Sequence, residues 1–181
     1  METTGLRAIG WLIETAENPE ACQRAWERQP RSPYLIPTGD TFDVVSVDLR
    51  LALETADLLR RRRMPLGPAA LDYTGRRAGF LVPAGSRSGF ERLVHMDILR
   101  VPKYRYLDEG SYAVLPGPEA LSTDRHQWLT TPPRMPNPAR RHAMALALML
   151  VAAAELLERA DRFGATRPQG LIKFRRGLDC W

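Results

Sequence analysis

The stretch Phe42-Asp43-Val44-Val45-Ser46-Val47, followed at once by Asp48 and the run from Leu49 to Leu59, decides the fold class of this chain. Its valines predict a β-strand, because β-branched side chains pack well on a pleated sheet. Asp48 predicts a helix cap, since its carboxylate can accept hydrogen bonds from free backbone N–H groups. Beyond Asp48, apolar residues recur at roughly helical spacing. The stretch therefore predicts a strand that passes directly into a helix.

Further strands are predicted on the C-terminal side of this unit. The segments from Ala69 to Asp72 and from Ala78 to Pro83 are separated by Tyr73-Thr74-Gly75-Arg76, which is typical of an antiparallel hairpin. Two more strand-like segments run from Ser111 to Leu115 and from His126 to Thr130. The middle of the chain is thus expected to be mainly antiparallel sheet.

Two segments are expected to be loops. The prolines and Gly39 between Pro30 and Asp40 predict a loop before the first strand. Gly85-Ser86-Arg87-Ser88-Gly89 lacks the lysine of a phosphate-binding P-loop, so it is interpreted as a flexible hairpin or loop. The stretch from Phe90 to Arg105 is mixed and gives no single prediction.

Helices are predicted at both ends of the chain. One ends near Ala16, and a short one follows from Asn18-Pro19 to Pro30. The longest begins at Asn137-Pro138, continues to about Phe163 and has Gly164 as its C-terminal cap. The expected fold is α+β, with a mainly antiparallel central sheet, flanking helices and a long C-terminal helix. We expect one domain over residues 1–164 and a basic tail over 165–181.

Composition limits the classes of partner and compartment. The chain has 26 basic and 21 acidic residues among 181, a formal charge of +5 that is compatible with a polyanionic partner. The uncharged run from Ala143 to Ala154 is too short to span a bilayer, which predicts a buried helix and no membrane contact. Cys22 and Cys180 give no disulfide framework, and no secretory signal is seen, so we expect a cytoplasmic protein.

Candidate catalytic groups are sparse. His95, His126 and His142 lack partners at metal-ligand spacing, and neither cysteine lies in an activating context, so no metal site is predicted. Asp43 and Asp48 are five residues apart, and an odd spacing along a regular strand directs them to opposite faces. We therefore interpret Asp43 as a strand-edge acid and Asp48 as a helix cap.

The densest positive run is Arg60-Arg61-Arg62-Arg63, at a predicted helix C-terminus where the helix dipole favours cations. Together with Arg76, Arg77, Arg175 and Arg176 it can supply phosphate contacts if these residues converge in space.

The order of short motifs resembles a group of actinobacterial proteins that are similar to shortened, degenerate relatives of the bifunctional DNA primase/polymerase N-terminal domain. The resemblance extends over most of the chain and is carried by Trp11-Leu12, Pro37-Thr38-Gly39-Asp40-Thr41-Phe42-Asp43-Val44-Val45, Gly67-Pro68, Gly79-Phe80-Leu81-Val82-Pro83-Ala84-Gly85, Gly110-Ser111-Tyr112-Ala113-Val114-Leu115-Pro116, Gln127-Trp128-Leu129 and Pro132-Pro133. It implies a primase-polymerase-like fold and a connection with DNA binding and replication.

The chain departs from the active members of that family at three places. The strand that should carry an Asp-x-Asp pair for metal has Ser46-Val47-Asp48. Arg76, Arg77 and Ala78 replace a nucleotide-contacting histidine. Arg105 stands near the expected third acid, and Asp108 lies too close to Tyr112. The resemblance therefore implies that Asp48 and Asp108 are remnants of a catalytic site.

Three functions follow as expectations. The first is a catalytically degenerate primase-polymerase-like module, without enzyme activity, that binds nucleic acid, nucleotide or protein and contacts phosphate through Arg61, Arg62, Arg76 and Arg77. The second is a residual nucleotidyltransferase that uses Asp43, Asp48 and Asp108 with Mg²⁺ or Mn²⁺. The third is a protein-interaction or regulatory subunit that docks through the helix over residues 138–163.

Overall fold

The computed structural model describes residues 9–96, 101–133 and 141–165. This part of the chain forms five helices and seven strands. In chain order they are α1 (Gly10–Thr15), α2 (Pro19–Arg28), β1 (Tyr34–Pro37), β2 (Phe42–Asp48), α3 (Leu49–Arg61), β3 (Ala69–Asp72), β4 (Arg77–Pro83), α4 (Arg87–Val94), β5 (Tyr104–Leu107), β6 (Tyr112–Leu115), β7 (His126–Thr130) and α5 (Arg141–Ala165).

The strands form two antiparallel sheets. The large sheet has the order β5-β2-β4-β3-β7, and the small sheet pairs β1 with β6. The predicted hairpin is confirmed, because β3 and β4 pair antiparallel with Asp72 opposite Arg77. The predicted α+β class with an antiparallel central sheet and a long C-terminal helix is also confirmed.

Strand β2 divides the core into two parts. Val45 and Val47 pack in one apolar cluster, whereas Phe42 and Val44 pack in another. Because successive side chains of a strand point to opposite faces, the two clusters lie on the two sides of the large sheet. The sheet is therefore covered on both faces.

One face of the large sheet is covered by helices. Helix α3 begins where β2 ends, and the Asp48 side chain accepts a hydrogen bond from the Arg50 backbone N–H at 2.9 Å, which confirms the predicted cap. Helix α5 contributes Leu146 and Leu150 to the same core. Within the described ranges, no helix is both long and apolar enough to cross a bilayer.

The small sheet lies over the other face, together with α1 and α2. Ile36 of β1 and Leu115 of β6 are buried with Trp26 of α2 in the second cluster. The Trp26 indole N–H donates to the Ser32 carbonyl at 2.9 Å, so this buried ring has a partner for its polar atom. The small sheet and α2 thus form one layer against the large sheet.

Two segments that were expected to be loops contain regular structure. Within the predicted loop from Pro30 to Asp40, Tyr34–Pro37 forms β1, because it finds backbone partners in β6. The predicted loop Gly85-Ser86-Arg87-Ser88-Gly89 is wrong from Arg87 onward, where α4 begins. Phe90 and Val94 of α4 are fully buried, and this packing outweighs the low helix propensity of Gly89.

Three smaller findings concern single segments. The mixed stretch after α4 includes the start of β5 at Tyr104. Asp43, interpreted as a strand-edge acid, is the second residue of β2 and is buried there, with 1% of its surface exposed. Helix α5 continues through the predicted cap Gly164 to Ala165. The predicted start of this helix at Asn137-Pro138 and the basic tail from Thr166 lie outside the described residues.

Candidate functional site

A cleft of about 200 Å³ lies between β6 of the small sheet and the face of β2, β3 and β4 that β6 partly covers. Ser46, Ala70 and Gly79 are cross-strand neighbours on its floor, and Tyr112 and Val114 belong to its wall. The floor residues are small, and a Cβ at Gly79 would approach the Val44 Cγ1 atom to 2.9 Å. This floor leaves the cleft open to a ligand.

A row of charged and polar residues crosses the large sheet at one end of the cleft. Arg77 of β4 is paired with Asp48 of β2 on one side and with Asp72 of β3 on the other. His126 of β7 is paired with Asp72. Directly opposed residues of antiparallel strands share a face of the sheet. The Cα atom of Arg77 therefore lies between those of two acidic residues on neighbouring strands, and all three side chains project from the face that carries the cleft.

The Arg77 guanidinium lies over Ser46. Its Nε donates to the Ser46 Oγ at 3.1 Å, and its Nη2 reaches both the Ser46 Oγ and the Ser46 carbonyl oxygen at 3.1 Å. These contacts fix the planar group at the floor of the cleft. A guanidinium has five N–H donors, so Ser46 leaves Nη1 for another acceptor.

Both neighbouring carboxylates already have donors from the protein. The Asp48 Oδ1 accepts the Arg50 N–H as the cap of α3. Asp72 receives two hydrogen bonds from Arg125, at 2.9 and 3.0 Å, and one from the Gly75 N–H at 2.9 Å. The Arg125 guanidinium is the main cause that lowers the pKa of Asp72 to about 2. Asp72 is therefore ionised at neutral pH and bound to arginine.

The rest of the cleft adds positive and aromatic groups. Arg105 on β5 is paired with Ser46, so it projects from the same face of the large sheet, at the open edge. Tyr112 of the wall is 46% exposed. Neither ring nitrogen of His126 has a hydrogen-bond partner among the described residues, and burial lowers the pKa of this histidine. The cleft and its margins thus carry three arginines and two carboxylates, namely Arg77, Arg105, Arg125, Asp48 and Asp72.

This arrangement is unsuited to a divalent cation. The Arg77 guanidinium lies against Ser46, on a strand position that is paired with both acids, and the Ser46 hydroxyl already accepts a hydrogen bond from it. Mg²⁺ and Mn²⁺ bind through oxygen ligands, typically one or two carboxylates with water and substrate phosphates, and an adjacent guanidinium opposes this by charge repulsion. Across residues 9–96, 101–133 and 141–165, no group of three or more His, Cys, Asp or Glu residues is placed to bind a metal. The chemistry of the cleft favours an anionic ligand.

Asp43 lies in different surroundings. Its Oδ2 accepts hydrogen bonds from the Tyr106 hydroxyl at 2.9 Å and from the Gly85 N–H at 3.1 Å. Burial raises the pKa of Asp43, and the hydrogen bond from Tyr106 opposes this increase. These contacts join β2 to β5 and to the turn before α4. Asp43 therefore anchors the turn rather than facing the cleft.

Asp108, the third acid expected from the sequence, lies near Asp43 but is bound elsewhere. Its carboxylate pairs with Arg87 of α4 at 2.7 Å, and its carbonyl accepts the Thr38 hydroxyl at 2.7 Å. Asp48 lies five residues from Asp43 along β2, about 17 Å away at the usual rise of a strand. The structure therefore does not bring Asp43, Asp48 and Asp108 together.

The four arginines that were predicted to contact phosphate do not lie together in the structure. Arg77 lines the cleft, and the Arg76 carbonyl accepts the Leu49 N–H where α3 begins. Arg61 and Arg62 lie at the opposite end of α3, a 13-residue helix of about 20 Å. The Arg61 side chain is 73% exposed and pairs with Asp57. The structure thus places Arg77 in the cleft and leaves Arg61 and Arg62 outside it.

Helix α5 has both a buried and an exposed apolar face. Its buried face belongs to the core, but four large apolar side chains are exposed, namely Met144, Leu148, Leu156 and Phe163. These exposed residues are the observation in favour of protein docking through this helix, which stays a prediction.

Most of the residues that line the cleft with Arg77 were not predicted from the sequence. Arg125 and His126 reach the cleft because β7 pairs with β3, and Tyr112 does so because β6 lies over the large sheet. Arg105 alone carried a signal, since it replaces an acid expected by resemblance. The other positions depend on pairing between distant segments, which local patterns do not encode.

Comparison with known proteins identifies the family. Residues 4–141 match the family model described as bifunctional DNA primase/polymerase, N-terminal. Neither the curated proteins nor the solved structures gave a match. The matched region includes β1 to β7 and with them the whole cleft. The chain therefore belongs to the family of bifunctional DNA primase/polymerase N-terminal domains.

Proposed function

We propose that this primase-polymerase domain binds the phosphate groups of nucleic acid or nucleotide in the cleft between its two sheets, and that it does so without nucleotidyl transfer. The observation that carries the proposal is the Arg77 guanidinium held over Ser46 inside the cleft. A planar guanidinium forms strong, directional hydrogen bonds with phosphate oxygens.

The surroundings of Arg77 support phosphate as the ligand. Arg105 projects from the face of the large sheet that carries the cleft, Arg125 lines the cleft, and His126 offers a ring nitrogen without a partner within the described chain. Asp72 neutralises part of this charge, because it binds Arg125 through both oxygens. The remaining excess of positive charge favours a polyanion.

The exposed ring of Tyr112 supports a nucleic-acid or nucleotide ligand over a simple anion. An aromatic side chain beside a basic cleft can stack on a base while the arginines contact the phosphates. Tyr112 lines the same cleft as Arg77, which allows one nucleotide to use both side chains.

The proposed loss of nucleotidyltransferase activity is based on the positions of the three candidate catalytic aspartates. Asp48 caps α3, while Asp43 is buried with Tyr106 and Asp108 pairs with Arg87. Because these three carboxylates do not share a site, we expect no primer extension with either Mg²⁺ or Mn²⁺. Extension that disappears in Asp48→Asn would restore the nucleotidyltransferase alternative.

The binding test is a fluorescence anisotropy titration of labelled single-stranded and double-stranded DNA at low and moderate salt. We expect binding that weakens steeply as salt increases, because phosphate contacts release counterions. ATP is titrated in parallel as a competitor, which separates nucleotide binding from polymer binding. Absence of binding to DNA and to ATP at low salt would refute the proposed function.

A further inference from the structure

The cleft lacks one of the two acidic residues that, by resemblance, would bind a divalent cation on β2. By resemblance, active members of the family carry an Asp-x-Asp pair on the strand that corresponds to β2. Here Ser46 and Asp48 occupy those positions, with side chains on the same face of β2 because they are two residues apart. One of the two negative charges is therefore missing from the pair.

A positively charged side chain lies at the first of these two positions. Arg77 is the cross-strand partner of Asp48, and its guanidinium crosses to Ser46, the residue two positions earlier on β2. The guanidinium thus lies at the Ser46 position, where the resemblance would place the first acid of the pair. Asp72, on the other side of Arg77, adds the second nearby carboxylate.

We propose that the Arg77 guanidinium takes the place of the divalent cation, so that this cleft binds a phosphate group directly and independently of metal. The inference rests on the proposed function, because it specifies how that site holds its ligand. A guanidinium and a divalent cation both neutralise phosphate oxygens, but the guanidinium is covalently part of the chain.

The protein contacts make this replacement stable. Ser46 takes the Nε and Nη2 groups of Arg77 at 3.1 Å, which orients the plane of the guanidinium before any ligand arrives. Nη1 is left for a phosphate oxygen. A metal ion would have to displace the guanidinium from Ser46, and it would meet an Asp48 oxygen that already accepts the Arg50 backbone N–H and an Asp72 carboxylate paired with Arg125.

The first experiment measures the affinity of the wild-type domain for fluorescein-labelled oligothymidylate in EDTA, in MgCl₂ and in MnCl₂ at equal ionic strength. We expect the three dissociation constants to agree within about twofold, since no metal takes part in the contact. Binding that appears only with metal would overturn the inference and leave the proposed function intact. Absence of binding in all three buffers would refute the proposed function itself.

A matched pair of variants locates the contact. Arg77→Gln and Arg61→Gln each remove one positive charge, but Arg61 lies outside the cleft on the end of α3. We expect Arg77→Gln to weaken binding in EDTA about tenfold, as loss of one charge-assisted hydrogen bond implies. Arg61→Gln should change it by less than about twofold. Equal effects of the two variants would overturn the inference.

Metal binding can also be measured without DNA and with the wild-type chain. Calorimetric titration with MnCl₂ alone is expected to give no saturable binding that depends on Asp48. Saturable Mn²⁺ binding that is lost in Asp48→Asn would show that the acid still holds a cation and would overturn the inference. This measurement does not depend on the folding of Arg77→Gln.

Discussion

Replacement of Tyr106 by phenylalanine should reduce stability by an amount that depends on pH. The Tyr106 hydroxyl donates to the Asp43 Oδ2 at 2.9 Å, and Asp43 is 1% exposed. A hydrogen bond to a charged acceptor contributes about 1.5–3 kcal/mol. We therefore expect the free energy of unfolding at neutral pH to fall by about 2 kcal/mol. Phenylalanine keeps the ring that packs on Phe90.

The sign of the pH dependence follows from the pKa of Asp43. Burial raises this pKa in the folded protein, so ionisation of Asp43 reduces stability as the pH rises from the unfolded pKa through the folded one. The Tyr106 hydrogen bond opposes the increase, and its removal raises the folded pKa further. The variant should therefore lose more stability at neutral pH than at a pH below the pKa of folded Asp43, because only the ionised carboxylate gains the full strength of the Tyr106 hydrogen bond.

Urea unfolding, followed by tryptophan fluorescence at both pH values, measures this difference. Tyr73→Phe is the matched control, because Tyr73 is 45% exposed in the turn between β3 and β4. We expect the control to change stability by less than about 0.5 kcal/mol. A loss in Tyr106→Phe that is no larger than in the control, or that does not grow with pH, would refute the structural role of Asp43.

Three further predictions concern the cleft and use DNA anisotropy. If Arg77, Arg105 and Arg125 contact phosphates of a single strand, log K should fall with log salt at a slope of about −2, and a slope near zero would argue against these contacts. Bound phosphate should favour protonated His126, whose pKa burial lowers in the free protein, so affinity should rise as the pH is lowered into the acid range in the wild type but not in His126→Gln. Asp72→Asn should free Arg125 and tighten binding severalfold, whereas weaker binding would contradict the charge balance described here.

The parts of the fold that sequence predicted are those with strong local signals. The valines of β2 and the cap at Asp48 determine a strand and a helix within consecutive residues, and both are confirmed. In contrast, β1 becomes a strand only because β6, far along the chain, supplies its backbone partners. Helix α4 contains Gly89 and forms because Phe90 and Val94 are buried.

The candidate site shows the same limit. Arg77 was predicted as a phosphate contact from its place in a basic sequence, but its contact with Ser46 follows from the register between β2 and β4. Arg125 reaches Asp72 across 53 residues of sequence, because β7 joins the sheet beside β3. Register and strand order are tertiary properties, so one sequence read locally cannot give them.

The location of bound phosphate tests most directly whether the cleft at Arg77 is the binding site. Nitrogen-15 spectra of the arginine Nε–H groups, recorded in EDTA during titration with oligothymidylate, distinguish the cleft from the cluster at the end of α3. We predict that the resonances of Arg77 and Arg125 shift and saturate while that of Arg61 stays in place. Shifts confined to Arg61 and Arg62, with Arg77 unchanged, would contradict it.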